Sequence, residues 1–419
     1  MPETISENPI RFLTRHPDYL RYFLGMIPIQ FGAQIEAITI AWQVYHIARE
    51  TRSIEESAFM VGMVGLCQFL PMFVLTLFAG TLADRISRKT IVLWAMLAEA
   101  LGVVALTVIS LQTSPQLTAI FAIAALFGAA RAFLSPAASA LVPMLVTRAD
   151  MPKAISFSTT VWMTAVIVGP FIGGLLIAYS IAAAYAVTAV TYAVGVAMVA
   201  SIRTSTTPER QDGHPLTLLR EGLVYVWENK VVFGAISLDL FAVLLGGATA
   251  LLPAFATDIL NVGPMGNALL RMGPAVGGLL TSAYMTFYPI KRAAGVKMFL
   301  GVAAFGLATI VFAYSRSMPL SVLALAVLGA GDMISVNVRQ TLIQIVTPDH
   351  MRGRVSAVSG LFISGSNELG EFESGVLSRF MGPVAAAAFG GIGTLIVTGA
   401  WAWMFPALRR ADRLDGTHD

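Results

Sequence analysis

Charged residues are scarce in this sequence. Asp, Glu, Lys and Arg make up 12% of the 419 residues, whereas 56% are hydrophobic and the mean hydropathy is +0.75. Soluble domains carry about a quarter charged residues, so this chain has too few to cover a surface that faces water. The 27 basic and 24 acidic residues form no basic face or stripe, which excludes the electrostatic footprint of a nucleic-acid-binding protein.

Cysteine and histidine are also scarce, and this limits the possible chemistry. The single Cys67 excludes an intramolecular disulfide and any multi-cysteine metal or iron–sulfur site. All five histidines fall in predicted loops and ends, which argues against a histidine proton relay in the membrane. The motifs of zinc proteases, serine hydrolases and phosphate-binding loops do not occur. We therefore expect no enzyme, no cofactor, no metal and no ATP drive within this chain.

Long apolar stretches are abundant instead. A bilayer core of about 30 Å requires roughly 20 apolar residues per helix. We predict twelve transmembrane helices near 19–45, 58–83, 90–111, 117–144, 154–179, 182–202, 231–257, 264–288, 298–315, 319–346, 355–380 and 384–408. The predicted fold class is an all-α membrane protein.

Lysine and arginine are distributed unevenly among the predicted loops. If both termini are cytoplasmic, the inner loops and ends hold 20 of these residues and the outer ones hold 4. The other three, Arg131, Arg271 and Arg339, fall within spans. The positive-inside rule therefore predicts that both termini are cytoplasmic. Residues 1–21 are polar and mixed in charge, unlike a cleaved signal peptide.

The two halves of the chain resemble each other. Residues 146–151 recur at 346–351, and 169–176 aligns with 370–377 at nearly the same spacing. Between the halves lies the longest polar stretch, in which residues 216–227 are typical of an amphipathic helix at the inner membrane surface. Parallel repeats of this kind are typical of transporters. The predicted domains are an N-terminal six-helix bundle at 1–202, a cytoplasmic linker at 203–230 and a C-terminal six-helix bundle at 231–419.

Two motifs resemble those of the major facilitator superfamily. The family's loop signature, glycine–x–x–x–Asp–Arg–x–x–Arg–Lys, is matched by GTLADRISRK at residues 80–89. The glycine–proline motif of its antiporter branch is similar to GPFIGG at residues 169–174. The loop after span eight lacks the acid, so the second copy of the loop signature is degenerate. The resemblance implies gating roles for Asp84, Arg85, Arg88, Gly169, Pro170, Gly173 and Gly174, although plain structural packing remains an alternative for the glycines.

A narrower resemblance runs through both halves. Residues 41–45, 238–243, 347–355 and 366–371 are similar to the bacterial efflux branch of the transmembrane secretion effector type, which contains enterobactin exporters. It implies two bundles related by pseudo-two-fold symmetry, secondary active export, a bacterial inner membrane and a monomer. It does not identify the substrate.

Ionisable residues within the spans are few. Each costs at least about 2.5–3.5 kcal/mol at the bilayer centre and therefore needs an explanation. We predict that Asp332, Glu368 and Glu371 couple transport to protons. Glu368 and Glu371 lie one turn apart, which disfavours ionisation of both. The alternative for this pair is a structural role in which Arg339 or Arg131 neutralises it. Asp332 shares a helix face with Arg339, so a static buried ion pair is the alternative for that residue.

Further polar residues are candidates for a substrate cavity between the halves. They are Gln30, Gln34, Glu36, Gln43, Arg131, Asp239, Arg339 and Asn367. For Glu36 and Asp239, pairing with a polar group on another helix is the alternative. Glu99 lies in span three, which the resemblance places on the outside of the bundle, and it has no explanation from the sequence.

These observations favour a proton-driven exporter of small, partly hydrophobic molecules, such as drugs or siderophore-like compounds. The expected partners are that substrate, protons and the lipid bilayer, without nucleic acid. An uncoupled facilitator or importer is the alternative. A non-transporting membrane sensor or a lipid scramblase is the alternative from a different class.

Overall fold

The computed structural model describes residues 9–83, 86–207, 215–290 and 292–411, and this part of the chain is mainly helical. The α-helices are α1 (Pro9–Arg15), α2 (Pro17–Arg49), α3 (Ile54–Ala83), α4 (Arg88–Ser110), α5 (Leu117–Leu145), α6 (Met151–Tyr179), α7 (Ile181–Ala200), α8 (Pro215–Glu228), α9 (Lys230–Gly246), α10 (Leu252–Ala254), α11 (Gly263–Phe287), α12 (Ala294–Tyr314), α13 (Met318–Val346), α14 (Asp349–Met404) and α15 (Pro406–Arg409).

The twelve predicted membrane helices are present. Ten stretches of the described chain are long and apolar enough to cross a membrane. The 25-residue helix α11 is also of spanning length, and a kink in α14 divides the longest stretch into two spans. The predicted all-α membrane fold is therefore confirmed, and α8 covers the predicted amphipathic helix.

The kink in α14 lies at Gly382. Its φ of 83° and ψ of 159° belong to a backbone region that essentially only glycine adopts. Pro383, which follows, has no N–H to donate to the helix. These two residues end the eleventh span and begin the twelfth without an intervening loop.

The seventh span is the least regular helix. Asn229 caps its start, because its side-chain oxygen accepts hydrogen bonds from the N–H groups of Val231 and Val232 at 3.2 Å each. Beyond α9, the chain continues as a 3₁₀ helix at Ala248–Leu251, then α10, then a π-helix at Phe255–Ile259. π-Helical turns occur frequently at functional sites.

The described chain contains two compact units. Unit 1 comprises Met1–Thr39 and Leu70–Asp212, and unit 2 comprises Ile40–Phe69 and Gly213–Asp419. Unit 2 thus includes the last residues of α2 and the first half of α3. In unit 2, Asp258 of the π-helix accepts hydrogen bonds from Tyr45 and from Arg49, whose Nη2 lies 2.9 Å from Oδ1. The predicted domain bounds at 202 and 231 stay a prediction.

Candidate functional site

The buried charges of unit 1 converge on Arg131 of α5. Its Nη2 lies 3.2 Å from Oε1 of Glu36 on α2, and its Nε lies 3.7 Å from Oε1 of Glu99 on α4. Both acids are buried, with exposed fractions of 1% and 2%. Because a buried charge is costly without a partner, Arg131 makes both acids tolerable inside the helices. Glu99, which the sequence left unexplained, has its partner here.

Tyr192 of α7 completes this cluster. Its hydroxyl donates a hydrogen bond to Oε2 of Glu36 at 3.2 Å. Sequence analysis missed this residue because the sixth span carries no charge. A signal was nevertheless present, since Tyr185, Thr188 and Tyr192 follow the i, i+3, i+7 spacing of one helix face, and all three are buried.

A close contact between α4 and α5 positions Glu99 beside Arg131. A Cβ atom on Gly102 would lie 2.5 Å from Cε1 of Phe127, so a larger residue at 102 would collide with this buried ring. Gly102 lies about one turn after Glu99, and Phe127 lies about one turn before Arg131. The contact therefore holds the Glu99 carboxylate within reach of the guanidinium.

A cavity of about 550 Å³ within unit 1 reaches this cluster. Ligand pockets typically measure about 300–1,000 Å³ and combine apolar walls with a few polar groups. Gln30, Glu99, Arg131 and Tyr192 supply polar groups, and further hydroxyls come from three serines and one threonine. The remaining lining is largely apolar and includes Phe23, Met26, Ile29, Leu134, Val142, Ile155 and Val161. The predicted cavity residues Gln30 and Arg131 thus line one cavity.

A second charged cluster lies in unit 2. Arg339 of α13 forms an ion pair with Asp239 of α9, and both side chains are buried. Asp332 and Ser335 of α13 lie with Asp239 around a cavity of only about 10 Å³. A space of that size holds one water molecule at most. The sequence suggested that Arg339 pairs with Asp332 on its own helix, but the ion pair joins two helices instead.

Glu368 and Glu371 lie where α14 packs against α3 in unit 2. A Cβ atom on Gly65 would lie 2.8 Å from the carbonyl oxygen of Glu368 and 3.2 Å from Cβ of Glu371. The Oε2 atom of Glu371 lies 3.6 Å from the same position. A glycine at position 65 therefore permits close packing beside these acids. Their role in proton coupling stays a prediction.

The other predicted cavity residues are spread over the two units. Gln34 packs against Gly169, and Gln43 is buried on α2. Asn367 is exposed on α14, where its side chain donates to the carbonyl of Ile363 at 3.1 Å. None of these three residues is among the described lining of the cavity in unit 1.

The predicted gating residues are only partly described. Asp84 and Arg85 lie outside the described residues. Arg88 donates to the carbonyl oxygen of Ala140 at 2.8 Å, which connects α4 to α5.

In the glycine–proline motif of α6, all four predicted gating residues are buried: Gly169, Pro170, Gly173 and Gly174. Added Cβ atoms on Gly169 and Gly173 would lie 2.5 Å and 2.6 Å from Gln34 and Ile38 of α2, respectively. This motif therefore packs α6 closely on α2.

The two clusters share one chemical property. Each places two carboxylates near a single guanidinium, so each carries one excess negative charge when both acids are ionised. A proton or a ligand cation can balance that charge. Within the described ranges, no three His, Cys, Asp or Glu side chains form a group that could hold a metal ion.

Known proteins resemble this chain in sequence. The profile of the Major Facilitator Superfamily matches residues 23–370. The protein named enterobactin exporter EntS from Escherichia coli O1:K1 / APEC is 25% identical over 392 residues, which cover 93% of this chain and 92% of that protein. The protein of the same name from Shigella boydii serotype 18 has the same identity and coverage.

Solved structures resemble the fold. A POT family transporter in complex with a thioalcohol-conjugated peptide has a TM-score of 0.73 at 12% identity, covering 93% of this chain and 96% of its own. A bacterial homologue of the iron transporter ferroportin, in an inward-facing state, has a TM-score of 0.68 at 16% identity, covering 92% and 98%. At these identities the likeness concerns the fold alone.

Proposed function

Because the chain belongs to the major facilitator superfamily, we propose that this multi-pass membrane transporter exports small, partly hydrophobic molecules from the cytoplasm by proton antiport. The similarity to enterobactin exporters over 93% of the chain supports the direction of transport. The proposed location is a bacterial inner membrane with both termini in the cytoplasm, and the proposed active form is a monomer.

The observation that carries this proposal is the cavity of about 550 Å³ in unit 1. Its apolar walls suit a hydrophobic substrate body, whereas Gln30, Glu99 and Arg131 can orient polar groups of the substrate. A drug-sized or siderophore-like molecule fits this combination better than an inorganic ion does. We propose that alternating access exposes this cavity to the two sides of the membrane in turn.

The two charged clusters support proton coupling. Protonation of one acid in each cluster removes the excess negative charge beside Arg131 or Arg339. Of the three predicted coupling residues, Asp332 belongs to such a cluster. Glu368 and Glu371 form a separate pair of acids on α14. A proton can drive transport only if it binds one conformation more tightly than the other. We propose that these carboxylates provide that difference.

Reconstituted transport tests the proposal. Proteoliposomes that contain the purified protein are loaded with enterobactin or the cationic dye ethidium. Export is followed with and without an imposed pH gradient. We expect the gradient to accelerate export by the wild type. We expect Asp332→Asn, or Glu368→Gln combined with Glu371→Gln, to weaken that dependence. Glu228→Gln, at an exposed acid on α8, is the matched control and should behave as wild type.

Other outcomes would change the assignment. Gradient dependence that persists in both sets of variants would reject these three acids as coupling residues. Substrate counterflow that is insensitive to pH would favour an uncoupled facilitator or importer. If neither probe moves, a wider efflux screen of siderophores, dyes and antibiotics, in cells that lack their own pumps, decides between transport and a non-transporting role.

A further inference from the structure

Unit 2 contains a second large cavity. Its volume is about 530 Å³, and α11, α12 and α13 form its walls. The lining includes Tyr284, Tyr288, Lys297 and Leu300. None of its lining residues belongs to the two charged clusters, so the transport proposal assigns it no role.

The charge of this cavity is positive. Among the described residues of its lining, Lys297 is the one cation, and it is exposed. Arg292, also exposed, precedes α12. No Asp or Glu occurs in the sequence between Asp258 and Asp332. Lys297 has no ion pair within the described part of the chain, so its ammonium group is available to bind an anionic ligand.

The remaining surface is aromatic and apolar. The rings of Tyr284 and Tyr288 stack with centroids 4.9 Å apart, and the two residues are 62% and 65% exposed. Leu300, on the next helix, is 63% exposed. Tyrosines that combine an apolar ring with a polar tip are typical of the membrane–water interface. A ligand here must therefore combine a negatively charged group with hydrophobic chains.

The loop between α11 and α12 lies on the side predicted to be cytoplasmic. The cytoplasmic leaflet is the one that carries anionic lipids, and basic pockets between helices on that side bind lipid headgroups. We propose that the cavity bounded by Tyr284, Tyr288, Lys297 and Leu300 is a binding site for an anionic phospholipid. Lys297 contacts the phosphate, the tyrosine pair packs beside the glycerol region, and Leu300 contacts an acyl chain.

Native mass spectrometry of the full-length purified chain tests this site. The protein is titrated with phosphatidylglycerol or with phosphatidylcholine of identical acyl chains, and apparent dissociation constants are taken from the lipid-bound fractions. We expect phosphatidylglycerol to bind more tightly. Lys297→Ala should weaken its binding about fivefold, which corresponds to one basic residue at a membrane surface. Lys297→Glu should weaken it further, whereas Lys297→Arg should retain it.

The matched control is Lys230→Ala, which removes an exposed lysine at the start of α9. It should leave phosphatidylglycerol binding unchanged. Equal binding of the two lipids by the wild type would overturn the proposal. So would an effect of Lys297→Ala no larger than that of Lys230→Ala, or displacement of the lipid by inorganic phosphate alone. This readout does not depend on transport, so its failure and that of the proposed export are separable.

Discussion

Arg131 illustrates at the scale of one residue how charge is accommodated inside the helices. It contacts two buried carboxylates at 3.2 Å and 3.7 Å, and a tyrosine hydroxyl shares one of them. Removing one partner of a buried ion pair costs more than the pair itself contributes, because the remaining charge is left without compensation. The stability of unit 1 therefore depends on Arg131 more strongly than its partial exposure suggests.

Replacing this residue gives a direct test. We expect Arg131→Met to lower the free energy of unfolding by about 3–5 kcal/mol, seen as a lower melting temperature in detergent. Adding Glu36→Gln and Glu99→Gln should recover most of the loss, because no uncompensated charge remains. The triple variant should fold but lose pH-driven export. A single variant as stable as wild type would show that Arg131 does not compensate these acids.

Close glycine packing dominates at the scale of the helices. Where α11 crosses α13, Gly277 lies against the carbonyl of Ala326, and Gly329 lies against that of Pro274. An added Cβ at either glycine would collide with backbone, which cannot move aside as a flexible side chain can. Small residues of this kind let helices approach closely in a membrane.

An alanine substitution measures this packing. We expect Gly329→Ala to destabilise the protein by about 1–3 kcal/mol, as overpacking does in other tightly packed regions. Gly360→Ala on α14 is the control, because nothing lies within 4 Å of its Cβ position. There the higher helix propensity of alanine should leave the melting temperature unchanged or raise it slightly. Equal effects of the two substitutions would show that the α11–α13 contact is not tight.

At the scale of the whole molecule, the arginine and lysine distribution predicts the orientation in the membrane. The bias of 20 inner to 4 outer basic residues is large, and it assigns the loop before α3 to the outside and the loop after α7 to the inside. The single native cysteine makes this assignment simple to examine.

Cysteine labelling provides the measurement. In a Cys67→Ser background, Ser53→Cys and Ser205→Cys each place one thiol at an exposed loop position. A membrane-impermeant maleimide should label position 53 in intact cells. It should label position 205 only after the membrane is permeabilised. The reverse pattern would invert the proposed topology and, with it, the cytoplasmic position of the lipid site.

Individual helices show which structural features the sequence patterns predict. The predicted span at 117–144 and the observed α5, Leu117–Leu145, nearly coincide, because a long apolar stretch is a local property. The partner of Arg339 was not predictable in this way. Asp332 lies on the same helix face, but Asp239, on the distant helix α9, is the acid that forms the ion pair.

The sequence by itself determined the membrane class, the number of helices and their approximate ends, because these depend on the hydrophobicity of neighbouring residues. Only the tertiary structure decided that Glu36 and Glu99 share one arginine, and that one charged cluster borders a cavity of about 550 Å³ whereas the other encloses about 10 Å³. Such differences arise from how closely helices distant in the chain approach one another, and glycines such as Gly329, which lies against the backbone of Pro274, permit that approach.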